Sequence, residues 1–160
     1  MVRAIDTLST AAGWFAGALI APLTLAVAYE VVARYVFNAP TRWVSHVTYT
    51  LYGAQFMLAA AYTLLKDGHI RTDVFYGRWS PGTRAIIDAV SYVAFFFPGM
   101  LLVLHAGTVE ARHAWEIGER AGGWPAYPFK AIIPLTALLL LLQGLSELIK
   151  CARVLRARAR

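Results

Sequence analysis

Residues 11–29 read AAGWFAGALIAPLTLAVAY, 19 consecutive positions without a charged side chain. A helix rises about 1.5 Å per residue, so some 20 such residues cross a hydrocarbon layer of about 30 Å. The helical pattern continues to Phe37, and Asn38-Ala39-Pro40 then breaks it. Three further runs of the same kind follow. Residues 44–65 hold only His46 among acidic and basic groups, and Lys66-Asp67-Gly68 ends them. Residues 85–109 carry Asp88 near the start and His105 near the end, and a fourth run over 131–149 is closed by Lys150.

Composition agrees with lipid as the solvent. Of the 160 residues, 59% are hydrophobic and only 15% charged, and the mean hydropathy is +0.55. Soluble domains sit nearer half apolar and a quarter charged. A net charge of +6 raises nucleic acid as a partner. The basic residues, however, lie at the ends of apolar runs, where membrane topology uses them, and that excludes nucleic acid as the expected partner. The single cysteine, Cys151, makes neither an internal disulfide nor a multi-cysteine metal site. No alternating ten-residue strands of the kind that build a transmembrane barrel occur.

The expectation is therefore an all-α membrane protein of one domain over 1–160. Its four transmembrane helices fall at about 11–37, 44–65, 85–109 and 131–149. Between the second and third spans, residues 74–81 (VFYGRWSP) mix apolar, aromatic and basic side chains, which predicts a short interfacial helix. Ser80 before Pro81 fits the cap and first turn of the next span. Pro98 lacks an amide proton and predicts a bend there. Arg3 and the small residues Ala26-Val27-Ala28 have the outline of a cleavable leader. The apolar run continues past that site, and Asp6 is unusual in a leader, so a retained helix is expected.

With four spans, the termini and the loop between spans two and three share one side. Arg3, Lys66, Arg71, Arg78, Arg84, Lys150, Arg153, Arg156, Arg158 and Arg160 fall there, against Arg34, Arg42, Arg112, Arg120 and Lys130 opposite. The excess of positive charge predicts cytoplasmic termini. Trp43 and Trp124 then fall near the outer ends of spans, where amphipathic rings favour the interfacial layer.

Several ionisable groups stand out. Glu30 and Arg34 are four apart, share a helical face and are expected to pair as a structural element. His46 and His105 fall at similar depth on two spans, the minimum a b-type haem requires; hydrogen-bonded interfacial histidines are the stronger reading. In the loop after span two, Gly68 supplies a turn, and His69, Arg71 and Asp73 alternate along what is expected to be an ordered, charge-satisfied turn. The outer loop over 118–128 (GERAGGWPAYP) combines flexible glycines with two prolines and offers a docking surface. No nucleophile, base and orienting group come together, and no phosphate-binding loop is present. No catalytic, substrate-binding or metal residues, no cofactor and no enzymatic activity are expected.

Several stretches resemble the DctQ-like small membrane subunit of tripartite ATP-independent periplasmic (TRAP) transporters. They are residues 29–43 (YEVVARYVFNAPTRW), 52–56 (YGAQF), 67–73 (DGHIRTD), 125–134 (PAYPFKAIIP) and 142–144 (LQG), in that order. The resemblance implies a multi-pass protein of the bacterial inner membrane that takes part in importing organic acid anions with a cation gradient. It implies two partners: a large, DctM-like membrane subunit that carries the substrate and ion sites, and a DctP-like periplasmic binding protein. The small subunit scaffolds the first and helps to dock the second. Glu30, Arg34, Trp43, His46, His69, Arg71, Asp73 and Trp124 are the expected interface or structural residues. One departure is His46, which stands three positions after Trp43 where the family usually has an acidic residue. Two other classes remain as alternatives: a four-helix b-type electron carrier using His46 and His105, and a stand-alone assembly factor.

Overall fold

The computed structural model describes residues 1–66, 79–121 and 123–158. The elements are α1 (Val2–Ala18), α2 (Ile20–Tyr35), α3 (Arg42–Leu65), α4 (Pro81–Ser91), a π-helical turn (Tyr92–Phe96), α5 (Phe97–Glu116), a two-residue hairpin of β1 (Arg120–Ala121) and β2 (Trp124–Pro125), and α6 (Tyr127–Arg158). The stretch 67–78, with most of the interfacial helix expected over 74–81 and with His69, Arg71 and Asp73, lies outside the described residues.

The first helix is longer than its apolar run. It begins at Val2 and reaches Tyr35 with a single joint at Leu19, whose backbone stays helical (φ −66°, ψ −15°). Pro22 accounts for the joint, because it lacks the amide that would bond the Ala18 carbonyl. The polar residues before the apolar run stay helical because they find partners: Ser9 is buried, and Asp6 bonds to α6. At the other end Asn38 adopts a left-handed backbone (φ 51°), the Ala39 amide returns to the Ala33 carbonyl at 2.9 Å, and the chain turns into α3.

Ser80 caps α4 through its side chain, which accepts from the Thr83 amide, with Pro81 in the first turn. Pro98 acts as a widening rather than a simple bend. The amide of Phe97 bonds the Tyr92 carbonyl five residues back, and this π turn accommodates the proline ring just after it. The helix then ends at Gly118 (φ 61°), with the Gly118 amide on Trp115 and the Glu119 amide on Ala114, the paired bonds of a Schellman cap. The last helix starts four residues before its apolar run and continues to Arg158, since Ala, Leu and Arg are strong helix formers.

Three of these helices are long and apolar enough to cross a membrane: Val2–Tyr35, Gly82–Glu116 and Tyr127–Ala157. The expected second span, α3, is long enough at 24 residues. It does not reach the same hydropathy, because Thr48, Tyr49, Thr50, Tyr52, Gln55, Tyr62 and Thr63 dilute its apolar content. Helix α6 is the centre of the packing, with α1, α3, α4 and α5 all against it. A third of its apolar window is buried, against 6% for each of the other two spans. The core that joins α1, α3 and α6 consists of Ala16, Leu58, Ala61 and Leu139, with Ala12, Ala59, Ile132 and Leu140 around it. Small residues bring helix backbones close, which is how helices associate where lipid supplies no hydrophobic drive. Gly144 is such a point: a methyl group there would sit 2.5 Å from Phe96. The large apolar side chains, among them Trp14, Phe15, Phe37 and Phe95, face outward while Ser9, Thr136, Gln143 and Ser146 are buried, the inverse of a soluble domain.

Candidate functional site

Three polar clusters organise the molecule. The first joins the ends of the chain. The Asp6 carboxylate on α1 accepts from Gln143 Nε2 at 3.2 Å, Ser146 Oγ at 2.8 Å and Lys150 Nζ at 3.1 Å, all on α6. Ser9 donates to Gln143 Oε1 at 2.7 Å, and Glu147 accepts from both Gln143 and Lys150 at 2.8 and 2.7 Å. Gln143 and Ser146 are fully buried, and every polar atom of Gln143 is engaged. Spacings of three and four along α6 put Gln143, Ser146, Glu147 and Lys150 on one face, which α1 meets with Asp6 and Ser9, one turn apart.

The second cluster locks the turn from α2 to α3. Glu30 accepts from Arg34 Nε at 3.1 Å and Nη2 at 2.6 Å. It also accepts from the Thr41 amide at 3.2 Å and the Thr41 hydroxyl. The Glu30 side chain is largely covered, at 14% exposure, while that of Arg34 is half exposed. Tyr29 and Trp43 meet across the same turn with ring centroids 5.8 Å apart. Beside this lock lies an open crevice of about 230 Å³ between α2 and α3, lined by Val27, Glu30, Val31, Arg34, Tyr35, Val44, Ser45 and Thr48.

The third cluster holds the hairpin before α6. Lys130 donates to Glu110 and Glu119, both at 2.6 Å, and Arg112 pairs with Glu116 at 2.7 Å. Trp115 and Tyr127 meet edge-on at 4.5 Å, and the Ala126 amide bonds the Glu119 carbonyl. Trp124 is exposed on β2, in register with Ala121, and Gly123 takes a positive φ of 90° in the turn.

Of the residues singled out from sequence, Glu30, Arg34 and Trp43 come together around the α2–α3 turn, and Trp124 lies on the hairpin. His46 is half-buried on α3, and His105 is exposed on α5. The Asp6–Gln143 network was missed in the sequence. Its partners lie 137 positions apart, and the signal for it was four polar residues, Gln143, Ser146, Glu147 and Lys150, on one face of a largely apolar helix. These clusters hold helices together and consume their own charges.

A predominantly helical chain with apolar spans, internally paired charges and structured turns defines a small integral membrane component. The family model for tripartite ATP-independent periplasmic transporters, DctQ component, matches residues 23–154, from the middle of the first long helix to the last turns of α6. The chain belongs to that family, one of transporter subunits and not of enzymes, and is a multi-pass membrane protein. No curated protein and no solved structure matches it.

Proposed function

We propose that this chain is the scaffold subunit of an importer that draws organic acid anions across the bacterial inner membrane, driven by a cation gradient. In this reading α3 is a fourth span, both termini are cytoplasmic, and the Glu30 and Lys130 clusters face the periplasm. The family match over 23–154 carries the reading. The carboxylates support it: Asp6, Glu30, Glu110, Glu116, Glu119 and Glu147 are each committed to a partner within this chain. An anion substrate and its coupling ion are then handled by the large membrane subunit, against which this one packs. Glu30, Arg34, Trp43 and His46 shape the surface that meets it. The hairpin bearing Trp124 takes part in docking the periplasmic binding protein, and His69, Arg71 and Asp73 count among the subunit's interface or structural residues.

The test is recovery of the tagged chain from its native membranes in mild detergent. A polytopic protein several times larger, in stoichiometric amount, is the expected companion. A well-folded chain that emerges alone would contradict the assignment.

A further inference from the structure

Helix α3 has a polar stripe that nothing among the described residues covers. Ser45, Tyr49, Tyr52 and Phe56 follow one another at intervals of four, three and four and so share a face. Tyr49 is 74% exposed, Tyr52 61% and Phe56 72%, and the rings of Tyr52 and Phe56 stack at 6.5 Å. Two other hydroxyls of this helix are satisfied within it: Thr48 and Thr63 donate to carbonyls one turn back. Among the described residues neither phenol on the stripe has a hydrogen-bond partner. Tyr52 sits ten residues after Arg42, about 15 Å along the helix, and farther still from Lys66, so its phenol reaches neither interface. Hydrocarbon offers no acceptor at that depth, and an unmet hydroxyl there is costly.

The stripe runs without a break into the α2–α3 crevice, since Ser45 lines both. There Arg34 uses Nε and Nη2 on Glu30 and leaves the rest of its half-exposed guanidinium available as a donor. One surface therefore presents a cationic donor at its outer end, phenolic donors at mid-depth and an aromatic ring below. A phospholipid headgroup matches the first of these but its tails do not match the second. Another helix, with backbone or amide acceptors, matches all three. The outward face of α5 (Leu101, Leu102, Val109) carries His105 but no phenol, and suits lipid.

We propose that the Ser45–Tyr49–Tyr52–Phe56 face, with the α2–α3 crevice above it, is the seat of a transmembrane helix of the large membrane subunit. The inference rests on the functional reading above and names the surface that reading leaves open. It is tested by placing a photoreactive amino acid at Tyr49, Tyr52 or Leu102 and irradiating native membranes before the complex is isolated. Adducts to the large subunit are expected from positions 49 and 52 and not from 102. Adducts from 102 alone, or only lipid adducts from 49 and 52 while the large subunit still co-purifies, overturn the seat and leave the scaffold reading standing. Absence of the large subunit from the preparation overturns both. A double Tyr49→Phe, Tyr52→Phe variant keeps the rings and removes the donors. At roughly threefold per intramembrane hydrogen bond, it should retain the large subunit about tenfold less well, whereas Leu102→Ala should retain it unchanged. Equal retention by the two variants counts against the seat.

Discussion

At one end of the bundle Asp6 and Lys150 meet across 144 positions of sequence; at the other, Glu30 and Arg34 stand four apart on one helix. The first network is built on buried Gln143 and Ser146 and ties α1 to α6. The second, and the Lys130 cluster beside the hairpin, are more open and shape turns and edges. Both use the same chemistry of carboxylate and cation. Their surroundings decide the outcome: covered by helices, the groups fix the fold, and at a rim they fix a surface. Covered polar groups lose heavily when a partner is removed, while exposed pairs lose little and are screened by salt.

The largest effect should come from the covered network. Gln143→Leu strands the buried Ser9 hydroxyl and removes donors from Asp6 and Glu147, a loss of about 2 kcal/mol. Thermal unfolding in detergent reads it, and an unchanged midpoint would show that α1 is held by apolar packing alone. Next is Gly144→Ala, whose methyl group meets the Phe96 ring; overpacking of this kind costs about 1–3 kcal/mol and should lower the same midpoint. Glu30→Ala should leave the midpoint nearer wild type but release Arg34 and the α2–α3 turn, so that less of the large subunit co-purifies. If it destabilises the isolated chain as much as Gln143→Leu, the contrast between the two ends fails. The smallest effect on the fold belongs to Lys130→Met, which frees Glu110 and Glu119. Uptake that depends on the binding protein should fall, and high salt should mimic the change in the wild type.

The apolar runs placed the helices, because a membrane span announces itself through length and the lack of charge. The ends of the helices were less legible. Residues 2–10 lie before the apolar run, and their hold on α6 through Asp6 and Ser9 was not legible, since no local pattern marks a pairing at that distance. The basic tail after Lys150 reads as the end of a span, yet the helix runs on because its residues suit a helix in water as well. Glu30 with Arg34 was legible from spacing alone. Their joint hold on Thr41 was not, since it depends on the left-handed turn at Asn38. The stripe on α3 was not legible, since Tyr49, Tyr52 and Phe56 read as members of one more apolar run until the neighbours of the helix are seen.

The central claim is that this subunit holds a scaffold and leaves substrate handling to its partner. Competition profiles of the reconstituted complex, measured with Glu30→Ala and with Trp43→Ala in the small subunit, address it most directly. The account predicts lower transport capacity with an unchanged ranking of competing anions. A changed ranking in a complex of full stoichiometry would contradict it and place part of the substrate site on this chain.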